Sequence, residues 1–209
     1  MFTGITQGLR EITWVERTPG LLRYQVELGE VLCERLAVGA SVAIDGVCQT
    51  VVSFEAGRVR FDAIQETLDR TTLDALEVGR RVSVERSYRV GDEIGGHEVA
   101  GHVSGTGEIR ETRRHGEELV LRVGCDAALM AYILPKGFIA IDGSSLTIGE
   151  TEPSGCFDLH LIPETLRLTN LGSKGPGARV NLELDHRTVA IVQTVERVLE
   201  QRLASQHKE

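Results

Sequence analysis

Ala43-Ile44-Asp45-Gly46-Val47-Cys48-Gln49-Thr50 returns later in the chain as Ala140-Ile141-Asp142-Gly143-Ser144-Ser145-Leu146-Thr147. The flanking segments return with it. Ile64-Gln65-Glu66-Thr67-Leu68 is echoed by Ile162-Pro163-Glu164-Thr165-Leu166, and Gly79-Arg80-Arg81-Val82-Ser83-Val84-Glu85 by Gly177-Ala178-Arg179-Val180-Asn181-Leu182-Glu183. The offset is 142 − 45 = 97 at the first block and 164 − 66 = 98 at the later ones, which places one extra residue in the second copy near Pro153-Ser154-Gly155. A period this long marks a duplicated domain, not a stack of short repeats.

Within each copy, short segments alternate apolar and polar residues between glycine or charged turns, the pattern of strands with one buried face. Arg23–Leu28, Arg58–Asp62 and Arg81–Glu85 are matched by Leu119–Val123, Phe157–Leu161 and Arg179–Leu184. Asp45-Gly46 and Asp142-Gly143 suit tight hairpins, because aspartate and glycine tolerate positive φ. Several short strands in under about a hundred residues imply a small antiparallel barrel in each copy, which also removes exposed edges. Short helical pieces are expected at Glu30–Leu36 and Asp126–Leu134, and the glycine-rich run from Tyr88 to His97 reads as the linker. From Arg187 onward, Ile191, Val195 and Val198 fall at helical spacing with Val192, Leu199 and Leu203 beside them, giving one amphipathic helix outside the repeat. It can pack on its own barrel or serve self-association. The expected units are therefore a first barrel over 1–90, a linker over 91–97, a second barrel over 98–186, and a helix with tail over 187–209.

A chain of 209 residues with a net charge of −8 offers two domains large enough for separate cores and a surface unsuited to nucleic acid, which needs clustered positive charge. Met1-Phe2-Thr3-Gly4 carries no basic region followed by an apolar run, and no stretch approaches the roughly 18 apolar residues of a membrane span. A soluble, cytosolic protein is expected. Cys33, Cys48, Cys125 and Cys156 form no Cys-x-x-Cys pair, so free thiols are expected and neither a metal nor a redox motif is indicated.

Two similar pockets suit two similar ligands, so positions where the copies disagree are informative. Gly4 is aligned with His102, Gly39 with Lys136, Cys48 with Ser145 and Asp62 with His160. Each residue also has a plain structural reading. His97 and His102, five apart, fit a metal pair poorly and can serve hydrogen bonding at a core edge. Cys48 can be a small buried hydrophobe, Ser145 and Thr147 ordinary strand residues, Lys136 a solvated turn, and Asp45 and Asp142 the first residues of their turns.

Taken together, Met1-Phe2-Thr3-Gly4-Ile5, Gly91-Asp92-Glu93-Ile94-Gly95-Gly96-His97, Lys136-Gly137-Phe138-Ile139-Ala140-Ile141-Asp142-Gly143, Ser145-Leu146-Thr147 and His160–Leu166 occur in one order, and the whole chain resembles the α-type riboflavin synthase family with two lumazine-binding repeats. The resemblance implies a mostly β fold of tandem pseudo-symmetric six-stranded Greek-key barrels plus a C-terminal α-helix. It also implies a dismutation in which one 6,7-dimethyl-8-ribityllumazine gives a four-carbon unit to another, yielding riboflavin and 5-amino-6-ribitylaminouracil. No cofactor or metal is needed, because the C7 methyl group of the substrate is itself acidic. A homotrimer is implied, each site lying between the first barrel of one chain and the second of a neighbour. Lumazine synthase is a further partner the resemblance allows.

Carried onto this chain, the first pocket would be lined by Gly4, Ile5 and Thr6, by Cys48, Gln49 and Thr50, and by Asp62, Ala63, Ile64, Gln65, Glu66 and Thr67. The second would use Gly101, His102 and Val103, Ser145, Leu146 and Thr147, and His160, Leu161, Ile162, Pro163, Glu164 and Thr165, with Lys136 reaching to the neighbouring barrel's ligand. His102, Ser145, Thr147 and Asp142 are the implied proton-moving groups, with Cys48 and Phe2 at the other half-site. The chain departs from the family pattern at Val47, Gln49 and Ala100. The competing reading is a non-catalytic antenna like the lumazine proteins of luminous bacteria. Those relatives tend to lose the polar set that Gly101-His102 and Ser145-Leu146-Thr147 retain here.

Overall fold

In the computed structural model, which describes residues 1–206, alternation becomes two closed barrels. The first is built from β1 (Leu9–Thr18), β2 (Leu21–Glu27), β3 (Ser41–Ile44), β4 (Val47–Glu55), β5 (Arg58–Ile64) and β6 (Arg81–Arg86). The second uses β7 (Gly105–His115), β8 (Glu118–Gly124), β9 (Phe138–Ile141), β10 (Ser144–Glu152), β11 (Cys156–Leu161) and β12 (Arg179–Leu184). Around the barrels the strands run β1-β2-β5-β4-β3-β6 and β10-β11-β8-β7-β12-β9, which is the same cyclic Greek-key order. Short helices α1 (Gly29–Cys33), α2 (Gln65–Arg70) and α3 (Pro163–Leu168), the long α4 (His186–Gln206) and 3-10 turns at Thr72–Ala75, Ala127–Tyr132 and Asn170–Ser173 complete the elements. The piece expected at Asp126–Leu134 is a 3-10 helix over Ala127–Tyr132, and α1 ends short of the expected Leu36. No helix among the described residues is long and apolar enough to cross a membrane. The last residues of the expected tail, 207–209, lie outside the described residues.

Both Asp-Gly pairs form two-residue hairpin loops, with Ile44 opposite Val47 and Ile141 opposite Ser144. Positive φ at Asp45 (44°), Gly46 (78°), Asp142 (45°) and Gly143 (83°) gives the turn whose twist matches that of the strands. Register shifts in β1, β4, β7 and β10 add the local bends that help a six-stranded sheet close.

Inward positions fill the barrels. Ile12, Tyr24, Val51 and Phe61 are among the first core, and Ile109, Leu121, Ile148 and Phe157 among the second. One pair of equivalent layers differs. The Tyr24 hydroxyl donates to Gln49 Oε1 at 3.1 Å, and Gln49 Nε2 donates to the Cys48 carbonyl at 2.9 Å. At the matching places of the second barrel stand Leu121 and Leu146, both in its apolar core. Gln49 is thus an interior residue satisfied by Tyr24. Its departure from the family pattern is compensated inside the barrel.

The two hairpin turns meet across the pseudo-two-fold axis. A Cβ on Gly46 would lie 2.4 Å from Gly143 N, so neither turn tolerates a side chain there. Around them is a polar seam. Asp45 Oδ1 accepts from Ser83 N (2.7 Å) and Asn170 Nδ2 (2.8 Å), and Asp45 Oδ2 pairs with Arg80 at 3.2 Å. Asp142 accepts from Asn181 N at 2.8 Å and pairs with Lys174 Nζ. Asn181 ties the barrels further, donating to the Asp45 carbonyl at 2.7 Å and accepting from Thr72 N at 2.8 Å.

Two expected outcomes follow from these contacts. Gln49→Leu strands the buried Tyr24 hydroxyl and should cost about 1–3 kcal/mol. Adding Tyr24→Phe should recover most of that loss, as measured by urea denaturation. Burial, with the Asp142 charge next, raises the Asp45 carboxyl from 3.8 to about 7. A folded-state value above the unfolded one means that this group's contribution is fully present below about pH 4 and lost as pH rises through about 7. Stability measured across that window should decline by this contribution, and Asp45→Asn should flatten the decline.

Candidate active site

The strand that opens each hairpin arm presents its residues alternately inward and outward. On β4, Cys48 is half-buried and Thr50 exposed, while Gln49 and Val51 point to the core. On β10, Ser145 and Thr147 are the outward pair and Leu146 the inward one. On β5 and the start of α2, Asp62, Ile64, Gln65 and Glu66 are exposed and Thr67 half-buried, whereas Ala63 faces the core. The matching stretch exposes His160, Ile162, Pro163 and Glu164, half-buries Thr165 and buries Leu161. Each barrel thus carries an outward shelf of two threonines, a glutamate and an isoleucine, joined by Cys48 and Asp62 on the first and by Ser145 and His160 on the second.

What joins each shelf is the segment that enters the other barrel. Thr3 N (2.6 Å), Thr3 Oγ1 (2.7 Å) and Gly4 N (3.0 Å) donate to the Glu85 carboxylate of β6, and Ala100 N (2.7 Å) and Gly101 N (2.9 Å) donate to Glu183 of β12. Burial outweighs these hydrogen bonds and holds both carboxyls above the usual range. Phe2 pairs with Val99 in an isolated antiparallel bridge, so the two entry segments cross. Consequently Ser145 N donates to Gly4 O at 2.8 Å, and Cys48 N to Gly101 O at 2.9 Å. Both glycines have positive φ, 74° and 80°, and a Cβ on either would stand 2.6 Å from the Cβ of Ser145 or Cys48.

This crossing corrects two expectations. Gly4 matches Gly101, not His102, so Ile5 is the true counterpart of His102. The pocket linings are also exchanged. Gly4, Ile5 and Thr6 lie with Ser145 on the second barrel, and Gly101, His102 and Val103 lie with Cys48 on the first, where Val103 packs against the first core. The Thr6 hydroxyl is spent on Ser144 Oγ at 2.9 Å.

Two expected reactive groups belong to the frame. Phe2 is fully buried between the barrels with Ala43, Val99, Ala140 and Cys48. Asp142 is fully buried in the seam, its carboxylate occupied by Lys174 and Asn181 N.

The exposed His102 is available on the first shelf. His97, set aside as a linker residue, instead places Nδ1 at 2.6 Å from Ser145 Oγ. Its signal in the sequence was Gly95-Gly96, two residues without side chains ahead of it. His160 Nδ1 is 2.6 Å from Glu118 Oε1, while Asp62 reaches Arg23 only at 4.0 Å. A separate cleft of about 650 Å³, lined by Ile5, Leu32, Arg86 and Tyr88 among others, lies beneath the linker and touches these shelves only at Ile5.

Comparison with known proteins fits this doubled shelf. A lumazine binding domain is matched twice, over residues 3–87 and 100–185. Riboflavin synthase of Escherichia coli (strain K12) is 47% identical over 201 residues, covering 95% of this chain and 93% of the relative. The chain belongs to the riboflavin synthase family. Riboflavin synthase of Chlamydia pneumoniae is 41% identical over 95% of this chain and 97% of its own length. Among solved structures, LumP complexed with riboflavin superposes with a TM-score of 0.82 at 26% identity, over 88% of this chain and 100% of that one. LumP complexed with 6,7-dimethyl-8-(1'-D-ribityl) lumazine gives 0.80 at 25% identity, over 88% of this chain and 99% of that one.

In this riboflavin synthase family chain, Lys136 holds φ at 67°, while its counterpart Gly39 holds 86°. Their backbones are equivalent, since Lys136 N donates to Ile148 O and Gly39 N to Val51 O, each at 2.9 Å. A lysine in the left-handed region bears strain that glycine does not. Lys136→Gly should raise stability by up to about 1 kcal/mol in thermal unfolding, and the same variant should bind lumazine more weakly in a fluorescence titration.

Proposed function

We propose that the chain catalyses the dismutation of two 6,7-dimethyl-8-ribityllumazine molecules to riboflavin and 5-amino-6-ribitylaminouracil, as a cytoplasmic homotrimer. The observation that carries this reading is the near full-length likeness to riboflavin synthases, including both lumazine-binding repeats. One lumazine lies on the first barrel against Cys48, Thr50, Asp62, Ile64–Thr67 and the entry segment Gly101-His102-Val103. The other lies on the second barrel against Ser145, Thr147, His160, Ile162–Thr165 and Gly4-Ile5-Thr6. Backbone amides and carbonyls of the crossing segments suit the pyrimidine edge, and threonine and acidic side chains suit the ribityl hydroxyls. Lys136 reaches the ligand held by a neighbouring chain.

Holding two flat rings at reacting distance supplies the larger part of the acceleration, since a well-oriented pair is worth about 7–11 kcal/mol. Positioned acids and bases add about 10²–10⁴-fold. His102, Ser145 and Thr147 are the groups exposed or half-exposed to do so. Phe2 and Asp142 act by holding the entry segment and the hairpin in place.

Pairing of a first shelf with a second shelf from another chain is supported by α4. Its Ile191, Val195, Val198, Leu199 and Leu203 are exposed in the single chain, an apolar stripe suited to association in threes. Its start is fixed to this barrel. Asp185 accepts from Thr188 Oγ1 (2.7 Å), Thr188 N (3.2 Å) and Arg187 N (3.3 Å), as an N-cap does. Lumazine synthase is the partner that supplies the substrate in this reading.

The decisive measurement is incubation of the purified protein with 6,7-dimethyl-8-ribityllumazine. Riboflavin should appear without added metal or cofactor, and binding without riboflavin would make the chain an antenna. His102→Asn should leave the melting temperature nearly unchanged and lower kcat by about 10²-fold. Ending the chain at Asp185 should give monomers in sedimentation that bind lumazine and turn over poorly; a trimeric truncate would sink the role given to α4.

A further inference from the structure

Away from both shelves, the segments 72–81 and 170–179 of the two copies face each other across a cleft of about 600 Å³, a size suited to a small ligand. It shares no lining residue with either shelf. Arg80, Arg81, Lys174 and Arg179 line it, and none of its described lining residues is acidic. On a chain with a net charge of −8 this is a local reversal of sign, which concentrates anions. Repeat symmetry does not account for it. Arg81 matches Arg179, but Arg80 stands where the second copy has Ala178, and Lys174 where the first has Leu76.

These cations are only partly neutralised. Arg80 pairs with Asp45 at 3.2 Å, Lys174 with Asp142, and Arg179 with Asp74 at 3.0 Å. Arg81 is exposed and makes no ion pair among the described residues. Burial, with the Asp142 charge next, holds Asp45 up to about 7, so near neutrality it bears only part of a charge against Arg80.

Two oxygens at the cleft also lack partners. Thr72 (2% exposed) and Asn170 (4% exposed) both line it, and neither Thr72 Oγ1 nor Asn170 Oδ1 makes a hydrogen bond. A buried polar atom left unpaired is uncommon and costly. Asn170 Nδ2 donates to Asp45 Oδ1 at 2.8 Å, which fixes the amide and leaves its oxygen as an acceptor. The set of cations, one hydroxyl donor and one amide acceptor fits a group with negative charge, several acceptor oxygens and a hydroxyl proton close by. Monohydrogen phosphate carries that proton itself, and a sugar phosphate carries it on the sugar.

We infer that this cleft between the copies is a binding site for a small phosphate-bearing anion, free phosphate or a sugar phosphate. It is independent of the lumazine reaction, since no shelf residue takes part.

Isothermal titration calorimetry of the full chain with inorganic phosphate near neutral pH should show one saturable site per chain. Arg81→Glu should weaken it by about tenfold or more, whereas Arg114→Glu, at an exposed arginine of β7, should change it less than about twofold. Thr72→Val should weaken it about fivefold, while the melting temperature in phosphate-free buffer stays level or rises because an unpaired oxygen is gone. Sulfate, of similar shape and charge but without a proton, should bind about tenfold more weakly than phosphate. Ribose 5-phosphate binding more tightly than phosphate assigns the site to a sugar phosphate, and equal or weaker binding assigns it to the free ion. Absence of a saturable site overturns the inference, as does full affinity in a folded Arg81→Glu protein. Equal weakening by Arg114→Glu, or sulfate binding as tightly as phosphate, overturns it too.

Discussion

Everything at the shelves depends on the crossing of the two entry segments. Glu85 and Glu183 each clamp the segment leading into their own barrel, yet the carbonyls of Gly4 and Gly101 are consumed by strands of the opposite barrel. A buried backbone acceptor must be paired, and here its partner is on the other copy. Neither barrel therefore completes a shelf by itself. The first barrel borrows Gly101-His102-Val103 and the second borrows Gly4-Ile5-Thr6. Duplication in this chain has produced two interlocked barrels, not two separate units joined by a tether.

The same interlocking explains why so many charged groups are buried at the centre. Two Asp-Gly turns that butt together leave no room for side chains at Gly46 and Gly143, so the aspartates fold back into the seam. There they meet Arg80 on one side and Lys174 on the other, with Asn170 and Asn181 stitching across. A buried pair of this kind adds little net stability but penalises any other docking, because a misaligned seam would strand charges without partners. It fixes the angle between the barrels and hence where the entry segments cross.

On this nearly symmetric frame, function resides in the departures from symmetry. Gln49 with Tyr24 and Leu146 with Leu121 are two ways of filling the same interior layer, and they leave the outer shelves alike. Cys48 against Ser145, Gly39 against Lys136, Ile5 against His102 and the unmatched His97 make the shelves chemically different. A reaction that treats one of two identical substrates as donor and the other as acceptor requires such a difference.

Much of this was legible along the chain. The repeat, the strands, the Asp-Gly hairpins, the terminal helix and the outward hydroxyls depend on local periodicity and turn chemistry, which neighbouring residues determine. Alternation on β4 and β10 also carries the distinction between outward Cys48, Thr50, Ser145 and Thr147 and inward Gln49 and Leu146, although the resemblance placed all six in the pockets. What only the tertiary structure decided was which copy's residues meet. The exchange of Gly4–Thr6 and Gly101–Val103, the burial of Phe2 and Asp142, and the reach of His97 to Ser145 are contacts between segments far apart in the chain. They rest on the bridge between Phe2 and Val99 and on the packing of the two Asp-Gly turns, neither of which leaves a periodic trace. Sequence periodicity records which face of a strand is buried. It does not record which distant segment covers the other face.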